Sequence, residues 1–393
     1  MILLLRQTAA VFVDAYRELN AKKLFWITLA LSGLIVLVFA GVGFDDDGVS
    51  FLIWDLGFIP IAADVLSPEI FYKIIFTTFG IGIWLTWIAT VLALVSTAQM
   101  VPDFVASGTV ELWLVRPMSR VRLLATKYLA GLLFVAMQVL AFSGASFFVI
   151  GFRGGAWEPG IFLAVPIVVL FFSYLFCIQT LAGLITKSTI ASLLTTLLFW
   201  FALFLLNTTD IALLQFKLVP EVRQEVIQAR IDRQEENTLV LIRSDWREAG
   251  VEDWETRVPT QDEYDEKNPL IAPNREELEE LLATPNTVAV WHTGIFIAKS
   301  LLPKTSETIE LLNRNLLSSN ELEQLAETFR DDEESDAREP APNWSDQQIM
   351  EESSRRSQIE IRNRSIWWVA GTSVGFEIFV LMLALVIFAR RDF

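Results

Sequence analysis

The stretch MVPDFVASGTVELWLVRPMSRVRLLATKYLAG, Met100 to Gly131, sets the architecture of this chain. It separates two long apolar runs, yet it contains prolines and charged side chains: Pro102, Asp103, Glu111, Arg116, Pro117, Arg120, Arg122 and Lys127. A bilayer core about 30 Å thick requires roughly 20 apolar residues in a helix, and each flanking run reaches that length. The stretch is therefore predicted to be a polar junction between two membrane-spanning helices.

The composition of the whole chain is that of a membrane protein. Of 393 residues, 53% are hydrophobic and 20% are charged, and the mean hydropathy is +0.45, which is too apolar for a soluble protein of this length. The formal net charge of -16 arises in residues 208–365, which contain 34 Asp and Glu against 18 Lys and Arg. Such an acidic segment repels phosphates, which argues against nucleic acid as a partner. The only cysteine, Cys177, lies in an apolar run, which excludes disulfides and cysteine metal sites.

Six segments are long and apolar enough to be predicted as spans. They are Leu24–Val42, Ile70–Val101, Leu123–Ile150, Ile161–Thr186, Ile190–Leu206 and Ile366–Ala389. Ser67 and Pro68 predict the start of the second helix, because serine caps helices and proline fits their first turn. The predicted fold is an all-α polytopic membrane protein with a mostly helical extracytoplasmic insertion between the fifth and sixth spans.

Lysine and arginine in the short loops predict the orientation, because cytoplasmic loops are enriched in them. With the amino terminus inside, eleven basic residues face the cytoplasm and only Lys73 and Arg153 face outward. The eleven are Arg6, Arg17, Lys22, Lys23, Arg116, Arg120, Arg122, Lys127, Lys187, Arg390 and Arg391. We therefore expect a multi-pass protein of the plasma membrane, a bacterial inner membrane, with both termini cytoplasmic.

The predicted organisation follows from these spans. The parts are an amphipathic cytoplasmic segment (1–23), five spans (24–206) with a cytoplasmic segment at 102–122 inside the junction, an acidic extracytoplasmic domain (207–365), and a last span with its cytoplasmic tail (366–393). In the acidic domain, PNREELEELLA predicts a helix capped by Asn274, and GFDDDGVS (43–50) is interpreted as an acidic outer loop. The apolar segment 287–303 is interrupted by His292 and Lys299, and its length favours an interfacial or re-entrant helix over a crossing.

The junction on its own has two interpretations. Phe104, Val105, Leu112 and Trp113 have a spacing compatible with a short amphipathic helix at the interface, which Pro117 would end. The other interpretation is a basic loop whose long side chains reach anionic headgroups.

Motif residues in the junction then favour one interpretation. The order Gly108-Thr109, Glu111-Leu112, Leu114, Arg116-Pro117, Ser119-Arg120 and Lys127-Tyr128 resembles the G-T-x-E-x-L-x-x-P-x-S-R…K signature of type 2 ABC exporter permeases. TAAVFVDAYRELNAKKLF, GLITKSTIASLLTTLLFW and FARRDF resemble that family's elbow helix, its turn between the fourth and fifth spans, and its basic carboxy-terminal ending. The resemblance covers about residues 1–206, 286–317 and 365–393.

The resemblance implies a function and a set of partners. In that family the junction contains a coupling helix that sits in a cleft of a partner ATPase. This chain would be the permease subunit of an ABC exporter, paired as a homodimer or with a related permease, while a phosphate-loop ATPase binds the ATP and magnesium. The ATPase-coupling segment it implies comprises Asp103, Phe104, Ser107, Gly108, Thr109, Glu111, Leu112, Arg116, Pro117 and Arg120.

The sequence lacks the motifs of the enzymes that compete with this interpretation. It has no G-x-x-x-x-G-K-[ST], no H-E-x-x-H and no G-x-S-x-G, and it has a single histidine. No catalytic residue, metal site or cofactor is predicted in the chain itself. The alternative function is a membrane-anchored scaffold or sensor whose acidic extracytoplasmic domain binds a partner.

Glu377 is the most informative single residue, because a carboxylate near the middle of a span costs on the order of 3 kcal/mol on insertion scales. It is predicted to face the bundle or a wet path. One interpretation makes it part of a translocation path with Gln138 and Gln179. The other has it protonated or hydrogen-bonded on a neighbouring helix, to a serine or threonine or to Gln138 or Gln179. Gly371 and Gly375 on the same helix form a G-x-x-x-G pattern that permits close helix approach.

Overall fold

The computed structural model describes residues 13, 17, 23–45, 48–52, 54–55, 67–106, 119–317 and 343–390. Within this part of the chain the protein is mostly helical, and six helices are long and apolar enough to cross a membrane, as predicted. They are Lys23–Gly41, Pro68–Asp103, Arg120–Arg153, Pro159–Thr186, Thr189–Glu248 and Trp367–Arg390, and we call them the first to sixth spans. Of the amino-terminal segment 1–22, only Val13 and Arg17 are described, so the predicted elbow helix lies outside the described residues.

The helices and strands are numbered in chain order. The helices are α1 (Lys23–Gly41), α2 (Pro68–Ile75), α3 (Thr90–Thr97), α4 (Met100–Ala106), α5 (Arg120–Arg153), α6 (Ala164–Thr186), α7 (Thr189–Glu248), α8 (Gln261–Lys267), α9 (Ile271–Ala283), α10 (Thr287–Ser300), α11 (Thr305–Leu316), α12 (Asp346–Arg362) and α13 (Thr372–Arg390). Two π-helical stretches (Phe76–Ala89 and Trp367–Gly371), a 3-10 turn (Pro159–Leu163) and the strands β1 (Val42–Asp45), β2 (Gly48–Phe51) and β3 (Trp54–Asp55) complete the described elements.

The second span begins as predicted and then changes its winding. Ser67 Oγ accepts a hydrogen bond from the Ile70 amide at 3.4 Å, and Pro68 occupies the first turn. From Phe76 to Ala89 the helix is π-wound. The hydroxyls of Thr86 and Thr90 donate to carbonyls five residues earlier, at 2.7 and 2.8 Å. Such wide turns are rare in soluble helices and concentrate at functional sites.

The described residues on either side of positions 46 and 47 form a small sheet after the first span, where the sequence had suggested a loop. β1 and β2 pair antiparallel from Val42 opposite Phe51 to Asp45 opposite Gly48, and β3 adds to β2. Gly48 has φ 112°, a conformation that other residues rarely adopt, which explains why glycine follows the aspartates. Valines, phenylalanines and a tryptophan in these strands supply the strand propensity.

A cluster of buried apolar side chains fixes the relative direction of the spans. It joins the ends of the second, fourth and sixth spans to the start of the third, through Val101, Val105, Leu123, Leu124, Leu184, Ala384 and Phe388. The second, fourth and sixth spans therefore run parallel.

The fourth span is the most buried of the six. Phe172, Tyr174, Leu175 and Cys177 have no exposed surface, and the Cys177 thiol lies 3.1 Å from the Tyr174 carbonyl. The span ends at Lys187, whose left-handed backbone (φ 52°) directs its amide to the Gly183 carbonyl at 3.0 Å.

The described chain divides into two compact units. The first comprises Met1–Leu205, Lys299–Phe329 and Arg364–Phe393, and the second comprises Leu206–Ala298 and Arg330–Asn363. The second unit has a small apolar cluster of Val222, Val226 and Ile349 and relies on ion pairs. Arg356 contacts both oxygens of Glu225 at 2.8 and 2.6 Å, and these bonds raise the pKa of the Arg356 guanidinium above its usual range.

Two local predictions for the acidic segment differ from the structure. The fifth span does not end at Leu206, because α7 continues to Glu248 through Pro220. α9 begins at Ile271 rather than after Asn274, whose side-chain amide instead donates to the Leu270 carbonyl and to Gln234, both at 2.9 Å.

Candidate functional site

The Glu377 carboxylate lies where three spans meet. Its Oε1 accepts a hydrogen bond from the Tyr128 hydroxyl of the third span at 2.8 Å. Its Oε2 accepts one from the Ser173 hydroxyl of the fourth span at 2.8 Å. Both carboxylate oxygens are therefore hydrogen-bonded to neighbouring helices. Glu377 is only half-buried, so part of the residue remains accessible.

Each of these hydroxyls has a second acceptor within reach. The Tyr128 hydroxyl lies 3.0 Å from the Ser173 carbonyl, and the Ser173 hydroxyl lies 2.8 Å from the Leu170 carbonyl. A hydroxyl carries one hydrogen, so it can donate either to the carboxylate or to the backbone. The site can therefore hold Glu377 ionised, with both hydroxyls donating to it, or protonated, with one hydroxyl turned to its carbonyl. A proton can be taken up or released at Glu377 without moving any heavy atom.

Packing behind the ring holds Tyr128 in this position. Its ring stacks on Phe176 with centroids 4.9 Å apart and planes 12° apart. Gly131, one turn further along the third span, allows this approach, because a Cβ there would lie 2.7 Å from the Phe176 ring. Gly131 thus acts on the site indirectly, because it leaves room for the Phe176 ring on which Tyr128 stacks.

Gln179 belongs to a separate, fully paired cluster. Its Nε2 donates to the Leu94 carbonyl at 2.9 Å, and its Oε1 accepts from the Thr97 hydroxyl at 3.0 Å. It is buried, and it ties the fourth span to the second.

Gln138 is buried on the third span, beside a small cavity lined also by residues of the first and second spans. Its amide nitrogen has no hydrogen-bond partner within the part of the chain that the structure describes. Glu377, Gln179 and Gln138 thus each have their own surroundings, and no described hydrogen bond joins them into one path.

Most of the predicted coupling segment lies outside the described residues: Ser107, Gly108, Thr109, Glu111, Leu112, Arg116 and Pro117. Asp103 and Phe104 lie on α4, and Asp103 is exposed. Arg120 opens α5 after the Ser119 cap, and its guanidinium donates to the Ala389 carbonyl at the end of the sixth span, at 3.1 Å. Both flanks of the segment therefore lie at the end of the bundle where the sixth span ends.

A buried group of charges lies near the start of the sixth span. Glu307 on α11 contacts Lys299 and, at 2.9 Å, the guanidinium of Arg364, and all three side chains are nearly inaccessible. Nearby, Lys304 Nζ donates to the Ser300 and Leu302 carbonyls, both at 3.0 Å. Burial lowers the pKa of Lys304 to about 8, Glu307 opposes this shift, and Lys299 adds to it.

His292 has a partner that was not predicted from the sequence. In the second unit, His292 Nε2 lies 3.3 Å from Asp210 Oδ1, and the Asp210 side chain is completely buried. The available signal was an aspartate inside an apolar run, LLNTTDIALL, since such a carboxylate requires a partner. The pairing itself joins positions 82 residues apart and leaves no trace in local sequence.

Within the described residues, no three His, Cys, Asp or Glu side chains come together in a way that could hold a metal ion.

The fold and these contacts define a polytopic membrane protein with a hydrogen-bonded carboxylate between its spans. A family model described as "Protein of unknown function (DUF2705)" matches residues 68–223, which begin with the second span and end within α7. Neither a curated protein nor a solved structure matches the chain. The matched range contains the junction, Tyr128, Gln138, Ser173 and Gln179, whereas His292 and Glu377 lie outside it.

Proposed function

We propose that the chain is the membrane-spanning permease subunit of a type 2 ABC exporter. The observation that carries this proposal is the signature in the junction, from Gly108 to Lys127, between the second and third spans. ATP and magnesium are bound by a separate phosphate-loop ATPase, and this chain contributes no catalytic residue and no cofactor. Its partners are that ATPase, the lipid membrane, and a second copy or a related permease.

The cluster at the end of the bundle supports this proposal mechanically. Val105 and Leu123 lie in the junction and pack with Leu184 and Phe388 of the fourth and sixth spans. Arg120 adds a hydrogen bond to the Ala389 carbonyl. A partner that binds the junction therefore contacts a cluster shared by four spans. Such a connection is required if conformational changes of the ATPase are to move the spans.

The orientation of the protein follows from its charge asymmetry. The end with the junction is cytoplasmic, both termini are cytoplasmic, and residues 207–365 form a mostly helical extracytoplasmic domain. The membrane is the plasma membrane of a bacterium.

The exposure pattern of α10 supports its assignment as a re-entrant or interfacial helix. Val290, Trp291 and Ile297 are 74%, 71% and 60% exposed, whereas His292 and Lys299 are 7% and 4% exposed. His292 and Lys299 face the protein while these large apolar side chains face out, which is the reverse of the pattern expected for a helix in water. Such a helix is stable where its surroundings are lipid.

Glu377 supplies the chemistry of the transport path in this proposal. Its hydroxyl partners let it change charge at fixed geometry, which suits a group that meets a substrate or senses charge as the spans move. Gln138 and Gln179 lie in the same bundle and serve the path as separate polar positions.

Substrate-stimulated ATP hydrolysis in the purified complex tests the proposal. A phosphate-loop ATPase should copurify with the full chain, and Glu111→Ala or deletion of Gly108–Leu112 should abolish the stimulation while membrane insertion stays intact. Glu252→Gln, which neutralises an exposed glutamate of the acidic domain, is the matched control and should leave hydrolysis unchanged. The proposal would be contradicted if the deletion variant kept full stimulation of ATP hydrolysis, or if the full chain were purified with no ATPase bound. Either result would favour the scaffold or sensor.

A further inference from the structure

A small cavity with four polar residues in a mostly apolar lining lies between the first four spans. It has a volume of about 10 Å³ and is lined by Thr28 and Ser32 of the first span, Thr90 of the second and Gln138 of the third. All four residues are buried, with exposed fractions of 6% or less. The remaining lining is apolar, and no charged side chain contributes to it.

Gln138 brings an unused hydrogen-bond donor to this cavity. Its Nε2 is buried and has no partner among the residues that the structure describes. A buried amide donor without a partner is unfavourable, and native proteins usually satisfy such groups with protein or ordered water. The cavity beside it is the space in which a partner could lie.

The hydroxyls across the cavity supply acceptors. Thr28 donates its hydrogen to the Leu24 carbonyl at 2.9 Å, and Thr90 donates its hydrogen to the Leu85 carbonyl at 2.8 Å. Ser32 Oγ accepts from the Trp84 indole at 3.2 Å. Since the hydrogens of Thr28 and Thr90 are already used, their oxygens can only accept from an occupant.

We infer that this cavity binds one ordered water molecule, which accepts a hydrogen bond from Gln138 Nε2 and donates to the hydroxyl oxygens of Thr28 and Thr90. A cavity of this volume is just large enough for a single water molecule. One donor facing two acceptors is the complement of a water, whereas a metal cation would be repelled by the amide hydrogens. The inference is independent of the proposed function.

The position of this water gives it a structural role. Thr90 is the residue at which the π-helical stretch of the second span returns to α-helix. The water joins that transition to the first and third spans through Thr28 and Gln138, so three spans share one exchangeable polar contact.

Hydroxyl-radical labelling of the full chain in lipid nanodiscs tests the inference. X-ray radiolysis forms radicals from bound as well as bulk water, whereas peroxide photolysis forms them only in bulk. Val135 and Val139 line the cavity and are 4% and 3% exposed. We expect radiolysis to label both valines and photolysis to spare them. Wild-type protein in which radiolysis also spares them would have a dry cavity and would overturn the inference.

Variants separate this water from other occupants. Gln138→Met should remove the labelling of Val135 and Val139, and Gln179→Met, the matched buried glutamine with satisfied bonds, should retain it. Equal labelling in Gln138→Met and wild type would show that Gln138 does not hold the occupant. Labelling that changes when choline replaces sodium would identify a cation and would equally overturn the inference.

Discussion

Lys304 illustrates how burial changes the charge of one side chain. Its exposed fraction is 1%, and its Nζ is surrounded by the Ser300 and Leu302 carbonyls, the Thr372 hydroxyl at 2.5 Å and the Trp368 ring. These groups accept hydrogen bonds without cancelling a full charge. The pKa of Lys304 therefore falls from 10.5 to about 8, with desolvation as the leading cause.

A lowered lysine pKa makes stability rise with pH. Below pH 8 the folded and unfolded states both hold the proton, and between about 8 and 10.5 only the unfolded state holds it. The free energy of unfolding of wild type should therefore increase across this window relative to Lys304→Met, by roughly 3 kcal/mol at most. Denaturant titrations of both proteins from pH 7 to 11 measure the difference.

Lys267→Met is the control for this experiment. The pKa of Lys267 is raised by its hydrogen bond with Asp245, so its contribution is present at lower pH and is lost as pH rises through the folded-state pKa. The two lysines should thus give differences of opposite sign. A flat difference between wild type and Lys304→Met would contradict the assignment.

The unusual groups were predictable from the sequence, and so was a serine or threonine partner for Glu377, but the positions of the partners were not. Glu377 stood out because a carboxylate in a span is costly, yet Tyr128 and Ser173 lie 249 and 204 positions away in the chain. His292 stood out as the only histidine, while Asp210 was overlooked. Hydrogen bonds between spans depend on how helices rotate and pack, and a single sequence does not contain that information.

The third span shows how one helix face is specified by small residues. Gly131 and Gly144 both lie in α5, but a Cβ at Gly131 would meet the Phe176 ring, whereas nothing lies within 4 Å of a Cβ at Gly144. The same substitution at the two positions therefore isolates the effect of packing from the effect of helix propensity.

Gly131→Ala should destabilise the folded protein and Gly144→Ala should not. Overpacking a close contact costs on the order of 1–3 kcal/mol, while alanine in an open helix position gains up to about 1 kcal/mol over glycine. Thermal unfolding of the two variants in the same detergent gives the comparison. If Gly131→Ala were as stable as Gly144→Ala, the third and fourth spans would not pack as described.

Most elements were predictable because their causes are local. The boundaries of five of the six predicted spans lie within three residues of those in the structure, since apolar length alone defines them. The full length of α7 was missed because the apolar run that predicts the fifth span ends at Leu206, whereas the helix continues through Pro220 into a charged segment. The strands β1 and β2 were missed because three consecutive aspartates resemble a loop, although Tyr72 anchors β1 through a 2.6 Å hydrogen bond to the Val42 carbonyl.

The parallel course of the second, fourth and sixth spans constrains the whole molecule. It makes the two ends of the bundle distinct, with the junction and the end of the sixth span together at one of them. The charge distribution then predicts which end is cytoplasmic.

Cysteine labelling on intact cells should report this orientation. In a Cys177→Ala background, a membrane-impermeant maleimide should label Val258→Cys, at a position that is 81% exposed in the acidic segment, and should leave Ser119→Cys at the start of the third span unlabelled. Ser119→Cys should react once the membrane is permeabilised. Labelling of Ser119→Cys from outside intact cells would reverse the orientation and remove the basis for ATPase docking.

The thiol of Cys177 can report transient openings of the helix bundle in the native chain. No part of this side chain is exposed, and it lies among the most tightly enclosed aromatic rings of the fourth span. A small membrane-permeant disulfide reagent can reach the sulfur only when that helix separates from its neighbours, so the reaction rate counts such openings. Comparing the reaction rate in the resting protein with the rate during turnover would show how often the bundle opens in each state, without any engineered probe.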